Sequence, residues 1–338
     1  MNDSKCFIIA ELSANHGGKI EIALETVRAA KRAGADAIKI QTYTADTITL
    51  DSKKEQFKIS QGTAWDGKYL YDLYKEAYLP WEWHEEIFKV AKEEGLVCFS
   101  SPFDKTAVDF LEDLNTPIYK IASFEITDIP LIEYAASKGK PMIISTGIAD
   151  IEDIELAIET CKKAGNNDIT ILKCTSAYPA LIEDSNLKTI PDIMRRFNVK
   201  SGLSDHTLGT QTPAIAVAMG ATVIEKHFIL DKSIGGPDAH FSLDEKEFKE
   251  MVDAVRLTEK IIGKADYEMT EKKMKSRQFS RSLYITKDVK KGEVISEDNV
   301  RSVRPSFGMP PKHYEQVLGK TFNDNFEKGT PLSFDLIN

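Results

Sequence analysis

Short apolar runs alternate with longer amphipathic segments over most of this chain. Residues 7–10 form the first run, and the segment behind it places Leu24, Val27 and Ala30 at helical spacing before Gly34. Apolar residues three and four positions apart predict a helix, and a following glycine is typical of a helix end. Seven further runs follow: 37–41, 97–100, 118–121, 142–145, 169–173, 201–203 and 222–225.

Eight strands that each precede a helix predict an α/β fold, a (β/α)8 TIM barrel over residues 1–265, because such barrels take ~250 residues. The strands are near-continuous apolar runs, as expected where both faces of a sheet are covered. A doubly wound parallel sheet is the alternative. Asp150 is a predicted N-cap, and Ser242-Leu243-Asp244-Glu245 is a predicted capping box before the last helix.

Three segments depart from this repeat. The polar connection over 42–79 is too long for an ordinary loop and indicates a functional excursion. Residues 266–281 are charged and are predicted to be a linker. Residues 282–338 contain short strands and turn residues, and the echo between Lys291-Gly292 and Lys328-Gly329 predicts a small, symmetric β-rich domain.

Composition narrows the possible functions. The chain has 44 Lys and Arg residues against 53 Asp and Glu residues, a net charge of −9, which argues against nucleic-acid binding. No apolar segment approaches the ~20 residues of a membrane helix, and no signal peptide is evident. The four cysteines form no C-x-x-C pair. We therefore expect a cytoplasmic protein with reduced thiols and no membrane partner.

Polar residues cluster where the predicted strands end, which is where a TIM barrel carries its active site. His206 and His227 follow neighbouring strands and can point at one spot between them. Neutral imidazole is a common ligand of divalent metals, so this spot is a candidate metal site. Two polar histidines that merely satisfy their loops are the alternative.

Lys39 and Lys120 interrupt apolar strands, and a lysine in such a place is costly unless paired. Together with strand-end serines they favour a small ligand that carries phosphate and carboxylate groups. Lysines that extend to the surface are the alternative. Glu11 is either catalytic or a loop-orienting carboxylate, and Asp238 is a predicted acceptor for substrate hydroxyls. Glycine-rich loops of the NAD- or ATP-binding type are absent.

Taken together, the strand ends resemble the sialic acid synthase family, which joins phosphoenolpyruvate to an amino sugar. The similarity covers essentially the whole chain, and the C-terminal part resembles the family's antifreeze-like (SAF) domain. The motifs are IAELSANHGG (8–18), KIQTYT (39–44), FSSPFD (99–104), YKIASFE (119–125), ISTGI (144–148), KCTSAYP (173–179), GLSDH (202–206), EKHFILDKS (225–233) and VRPSFG (303–308).

The resemblance implies a role for each matched position. His206 and His227 would bind Mn²⁺ or Mg²⁺, with Co²⁺ as a third option, and Glu11 would assist the chemistry and face the sugar. Ser176 stands where N-acetylneuraminate synthases usually have asparagine. Arg304 would reach the sugar from the partner in a domain-swapped homodimer. The remaining expected substrate contacts are Lys39, Gln41, Ser101, Lys120, Ser123, Ser145, Tyr178, Ser204 and Asp238.

Variants within these motifs, among them KIQTYT, KIASFE and RPSFG, look closest to pseudaminic acid synthases. The implied partners are phosphoenolpyruvate and 2,4-diacetamido-2,4,6-trideoxy-altrose. The alternatives are an N-acetylneuraminate or legionaminate synthase with another amino sugar, a metal-dependent aldolase or aromatic-pathway synthase, and a non-catalytic carbohydrate-binding protein.

Overall fold

The computed structural model describes residues 5–60, 62 and 65–338. The strands are β1 (Phe7–Glu11), β2 (Ala37–Thr42), β3 (Val97–Pro102), β4 (Tyr119–Ile121), β5 (Met142–Ser145), β6 (Ile169–Cys174), β7 (Lys200–Asp205), β8 (Val223–His227), β9 (Ser282–Ile285) and β10 (Val300–Val303). The α-helices are α1 (Ile20–Arg32), α2 (Ala45–Ile48), α3 (Leu70–Ala77), α4 (His84–Glu93), α5 (Lys105–Asp113), α6 (Ile129–Ala136), α7 (Ile151–Lys163), α8 (Thr189–Phe197), α9 (Gln211–Ala218), α10 (Glu245–Ile262), α11 (Glu271–Arg277) and α12 (Tyr314–Val317).

Strands β1 to β8 form a closed parallel barrel in chain order. The barrel closes where β1 pairs with β8, with Phe7 opposite Val223 and Glu11 opposite His227. Each of these strands is followed by at least one helix. The predicted TIM barrel is confirmed, and the doubly wound sheet is excluded because this sheet has no open edge.

The two faces of the barrel strands bury different sets of residues, since side chains alternate with period two. On β1, Ile8 and Ala10 pack outward against the helices. Ile9 points inward and packs with Phe99, Leu172 and other residues of a layer inside the barrel. This apolar layer fills the barrel interior below the C-terminal strand ends, where the polar residues lie.

Of the two helix caps predicted from the sequence, one is present in the structure and the other is not. The Asp150 side chain caps α7 as predicted. The predicted capping box at Ser242 is wrong. The cap of α10 is Asp244, whose carboxylate accepts a hydrogen bond from the backbone N–H of Glu247 at 2.9 Å. Ser242 instead donates to the carbonyl of Asp238 at 2.6 Å, because the chain is still in the loop after β8 at that point.

The connection between β2 and α4 contains α2, α3 and a short antiparallel pairing. Lys58 pairs with Tyr69 across an isolated bridge, and the N–H of Ile59 bonds to the carbonyl of Lys68 at 2.9 Å. Gly67 has a φ of +90° and donates to the carbonyl of Ile59 at 2.8 Å. The described residues of this connection therefore contain regular structure and follow the C-terminal end of β2.

One compact unit of the chain ends at Gly263, and a second comprises Lys264–Asn338. The second unit has its own apolar core, which includes Leu283, Ile295 and Phe322. Its β9 and β10 pair antiparallel, and a bridge between Val289 and Phe326 joins the two repeated segments. In the part of the chain that the structure describes, no helix has the length and apolar character needed to cross a bilayer.

Candidate active site

A layer of polar side chains lies one step above the apolar layer inside the barrel. Ile9, Ala37, Phe99, Ile118, Ile143, Leu172 and Val223 form the apolar layer. Since alternate residues of a strand share a face, the residue two positions further along each strand also points inward. These residues are Glu11, Lys39, Ser101, Lys120, Ser145, Cys174 and Glu225, and all are buried.

The two predicted lysines converge on one carboxylate. Lys39 Nζ lies 2.5 Å from Glu11 Oε2 and 3.8 Å from Glu225 Oε2. Lys120 Nζ lies 3.8 Å from Glu225 Oε1. A buried charge is tolerated only when it is paired, so the four side chains form one interdependent cluster. The lysines therefore face a single region, as an anion site requires.

Serine hydroxyls from three strands complete this cluster. The pairs are Lys39 Nζ to Ser101 Oγ at 3.3 Å, Lys120 Nζ to Ser145 Oγ at 2.6 Å, and Ser204 Oγ to Glu225 Oε1 at 3.0 Å. Hydroxyls can donate as well as accept, so these three can turn towards an anionic ligand. Cationic and hydroxyl donors are thus concentrated at one place.

Ser123 and Ser176 meet at the loop after β5. The Ser123 hydroxyl accepts a hydrogen bond from the N–H of Gly147 at 3.1 Å. A Cβ at Gly147 would lie 2.0 Å from Ser176 Oγ and 2.8 Å from Ser123 Oγ. Only glycine allows the backbone to approach this closely, and both serines lie beside the polar layer as a result.

Burial and neighbouring charges set the proton affinities in the cluster. Burial raises the pKa of Glu11 to about 7, although the Lys39 ammonium opposes the shift. Burial also acts to raise the pKa of Glu225, but Lys120 and Lys39 outweigh it and hold that pKa below its usual value. Burial lowers the pKa of Lys120. Glu225 is therefore the permanent counter-charge, and Glu11 can exchange a proton near neutral pH.

His206 and His227 lie side by side at the ends of β7 and β8, with ring centroids 5.3 Å apart. His206 Nδ1 lies 3.0 Å from the carbonyl of Thr175, a contact that fixes the ring and leaves Nε2 for another partner. Nδ1 of His227 is buried and has no hydrogen-bond partner among the described residues. Burial lowers the pKa of His227 well below its usual value, which favours the neutral form that binds a metal. Burial also acts to lower the pKa of His206, but the Cys174 thiol outweighs this effect and raises it.

These two imidazoles fit a divalent metal of a catalytic type. Among the described residues no group of three or more His, Cys, Asp or Glu side chains is arranged to hold a metal ion. A metal on His206 and His227 would therefore take further ligands from water or substrate, and such open positions are typical of catalytic sites. The predicted pair is brought together by the fold.

Aromatic rings flank the two histidines. The ring of Tyr178 lies 4.5 Å from that of His206 and 6.4 Å from that of His227. Phe241 lies 4.8 Å from His227 and 5.2 Å from Tyr178. Tyr178 and Phe241 thus lie beside the candidate metal site.

Asp238 joins the loops after β1 and β8. Its Oδ2 accepts hydrogen bonds from Ser13 Oγ at 2.5 Å and from the N–H of Ala14 at 3.4 Å, and it lies 3.8 Å from His227 Nδ1. Its carboxylate is therefore already engaged in holding two loops together beside the histidines.

Two predicted residues remain, Gln41 and Arg304. Gln41 is half-buried near the end of β2, in register with Ser101 on β3. Arg304 follows β10 and belongs to the second compact unit, whereas the other predicted site residues belong to the first.

The sequence did not predict Cys174 as a member of the site, whereas Glu225 ends the predicted strand 222–225 and so belongs to the polar strand ends. Both lie two positions after a residue of the apolar layer, and Glu225 supplies the counter-charge of the two buried lysines. Cys174 is a buried free thiol. Burial acts to raise its pKa, but His206 and the hydrogen bond from Ser123 outweigh this effect and bring it to about 7.

A second buried polar network lies on the outer face of β2 and β3. His84 is fully buried at the start of α4. Its Nε2 lies 2.9 Å from Thr42 Oγ1, which lies 2.6 Å from Ser100 Oγ. Burial lowers the pKa of His84 to about 4, so the ring is neutral and ties α4 to the strands behind Ser101.

Comparison with known proteins gives matches along nearly the whole chain. Residues 26–267 match the NeuB family, and residues 280–338 match the SAF domain. The chain is 54% identical over 330 residues to the pseudaminic acid synthase of Campylobacter jejuni strain 81-176, covering 98% of this chain and 96% of the relative. It is 47% identical over 329 residues to the pseudaminic acid synthase of Helicobacter pylori, covering 97% and 96%.

A solved structure agrees with the fold. The crystal structure of N-acetylneuraminic acid synthetase from Leptospira borgpetersenii matches with a TM-score of 0.72 at 30% identity, over 81% of this chain and 90% of the other. The matches therefore cover both the barrel and the C-terminal domain.

Proposed function

Because this chain belongs to the NeuB family, whose members condense phosphoenolpyruvate with sugars, we propose that it is a pseudaminic acid synthase. The proposed reaction joins phosphoenolpyruvate to the open-chain aldehyde of 2,4-diacetamido-2,4,6-trideoxy-altrose and releases phosphate by C–O cleavage. The observation that carries the proposal is that two lysines, three serine hydroxyls and two histidines converge at the C-terminal ends of the barrel strands.

Phosphoenolpyruvate would lie against the lysine cluster. Lys39 and Lys120 supply positive charge in a buried site, where it acts more strongly than in water. The hydroxyls of Ser101, Ser145 and Ser204 already bond to this cluster and can donate to phosphate or carboxylate oxygens. Gln41, Ser123 and Ser176 would complete the contacts around this ligand.

The sugar aldehyde would lie towards His206 and His227. A divalent metal held there, Mn²⁺ or Mg²⁺, would supply Lewis-acid stabilisation of the negative charge that develops on the aldehyde oxygen. Tyr178 would position the sugar chain against these histidines, and the Asp238 carboxylate would accept hydrogen bonds from its hydroxyls.

Glu11 would act as the base for water that adds to the former enol carbon. Its Oε1 is buried and has no hydrogen-bond partner among the described residues, while Oε2 lies against Lys39. A buried acceptor with a pKa near 7 has the proton affinity that general-base catalysis needs. Of the two protons of that water, one would go to the former aldehyde oxygen, which becomes a hydroxyl, and the other would leave with the phosphate as the carbon–oxygen bond to it breaks.

Arg304 would complete the sugar site from a second copy of the chain. This part of the proposal extends the family resemblance to a domain-swapped homodimer, in which each C-terminal domain serves the barrel of its partner. It assigns a role to an arginine that lies in the second compact unit.

Phosphate release tests the proposal directly. The purified chain with Mn²⁺ should release inorganic phosphate only when phosphoenolpyruvate and the altrose derivative are both present. Its stereoisomers and N-acetylmannosamine form the comparison panel. A preference for another amino sugar would indicate an N-acetylneuraminate or legionaminate synthase, and binding without phosphate release would indicate a carbohydrate-binding protein.

Two substitutions connect this assay to the site. H227A should lose about 10²–10³ in turnover with metal present, the size expected for one preorganised electrostatic contact. H313Q changes a histidine of the second unit and should retain turnover. Full metal-dependent turnover by H227A would contradict the proposed metal site.

A further inference from the structure

The long connection after β2 brings a tryptophan across the mouth of the barrel. Strands β2 and β6 lie four places apart in the closed order of eight, on opposite sides of the barrel. Yet the ring of Trp65, from the β2 connection, lies 5.7 Å from the ring of Tyr178, which follows β6. The Trp65 indole N–H also donates to the carbonyl of Pro237, in the loop after β8, at 3.3 Å. Trp65 therefore lies over the mouth.

The aromatic contacts place Trp65 one ring further from the histidines than Tyr178. The centroid of the Tyr178 ring lies 4.5 Å from that of His206 and 5.7 Å from that of Trp65. If the reacting aldehyde lies at the histidines, the remainder of an open-chain sugar extends along Tyr178 towards the indole. Trp65 is thus placed at substituents remote from the reacting carbon.

We propose that Trp65 is a specificity-determining residue, and this inference rests on the proposed function. Its indole and the Tyr178 ring would form an aromatic wall for the apolar substituents of the sugar, which are acetamido methyl groups and a deoxy carbon. An aromatic face gains free energy by covering methyl groups and gains none by covering hydroxyls that lose their water. The wall therefore favours a diacetamido trideoxy sugar over a hydroxylated one.

The test compares two sugars in the phosphate-release assay. Specificity of this kind is worth about 10- to 200-fold for one apolar group. W65A should therefore lower kcat/KM for the altrose derivative by about 10- to 100-fold. The KM for phosphoenolpyruvate should stay unchanged, and kcat/KM for N-acetylmannosamine, however small, should change by less than about threefold. W65F should give an intermediate loss.

Trp81 offers a matched control. Its indole also donates to a backbone carbonyl, that of Tyr43 at 3.1 Å, but its ring stacks on Phe110 and not on the site rings. W81F should leave the ratio between the two sugars unchanged.

A second measurement does not depend on turnover. The chain has three tryptophans, so in a W81F/W83F variant Trp65 is the only one that fluoresces. The altrose derivative should change this emission, and N-acetylmannosamine should change it less.

An unchanged sugar ratio in W65A, or equal emission changes with both sugars, would overturn the inference alone. A wild-type chain that releases no phosphate with any sugar of the panel would overturn the proposed function and this inference with it.

Discussion

At the scale of single residues, the proton affinity of Glu11 predicts a pH dependence. Burial raises its pKa to about 7, so the carboxylate form that can accept a proton is lost as pH falls through that value. We expect kcat/KM at saturating metal to fall about tenfold per pH unit below pH 7. E11Q should lose about 10²–10⁴ in rate and should lack this limb. If kcat/KM of E11Q fell in the same way below pH 7, the ionisation would belong to another group.

A second prediction at this scale concerns Glu225, the counter-charge of both lysines. Breaking a buried ion pair on one side costs about 3–5 kcal/mol, so E225Q should lower the free energy of unfolding by that amount. Phosphoenolpyruvate brings its own negative charge to the lysines and should restore part of the loss. The rise in melting temperature on adding phosphoenolpyruvate should therefore be larger for E225Q than for the wild type.

Glu112 provides the control for that comparison. It pairs with Lys140 at 2.5 Å, but both side chains are partly exposed, at 31% and 25%. E112Q should cost no more than about 1 kcal/mol and should respond to phosphoenolpyruvate as the wild type does. Equal thermal shifts in E225Q and the wild type would mean that Glu225 does not compete with the substrate for the lysines.

At the scale of elements, an ion pair between β7 and β8 fixes the position of the histidines. Lys226 Nζ bonds to Asp205 Oδ2 at 2.5 Å and to the carbonyl of Thr207 at 2.6 Å, and both charged side chains are buried. Because side chains alternate, these two point to the opposite face from His206 and His227. Their pairing holds the two strand ends together.

D205N should therefore destabilise the barrel by about 3–5 kcal/mol, because it leaves the Lys226 ammonium buried and without its counter-charge. Chemical denaturation measures this loss. D168N is the matched change: Asp168 pairs with Lys200 of β7 at 3.4 Å, with both side chains about half exposed. D168N should cost less than about 1 kcal/mol. Equal costs for the two variants would contradict a structural role for the buried pair.

The elements themselves were largely readable from the sequence, because strand runs and helix spacings are local properties. The inward lysines and strand-end histidines could be assigned to one end of a barrel for the same reason. The partners of these residues were not readable. Three such contacts depend on closure of the barrel and on the paths of the loops. Glu225 pairs with both lysines, Asp238 bonds to Ser13, and Ser242 does not cap α10.

The connection over 42–79 marks the same limit. Its length predicted a functional excursion, but no local pattern shows that it crosses to the opposite side of the barrel. That path is fixed by contacts distant in sequence, such as the hydrogen bond from Trp65 to Pro237.

At the scale of the whole molecule, the two compact units have separate apolar cores. The proposed function needs His206 from one unit and Arg304 from the other. The arginine can come from the same chain or from a partner, and activity of the wild type alone does not distinguish these cases.

Mixed dimers of two inactive variants distinguish them. R304A lacks the arginine but keeps an intact barrel, and H206A lacks a metal-binding histidine but keeps an intact C-terminal domain. Each variant should be nearly inactive alone. In a domain-swapped dimer of one R304A and one H206A chain, the intact barrel receives the intact arginine. Random pairing at equal amounts makes half of the dimers mixed, each with one working site of two, so activity should recover to about a quarter of the wild-type value.

If each arginine served its own barrel, no combination of these two variants would contain a working site, and mixing would restore nothing. The experiment is best done by coexpression with two affinity tags, since purification on both tags isolates the mixed dimer. Because one of its two sites is complete, that mixed dimer should show about half the activity of a wild-type dimer. A tandem-purified mixed dimer without activity would contradict the exchange of C-terminal domains while leaving the barrel chemistry intact.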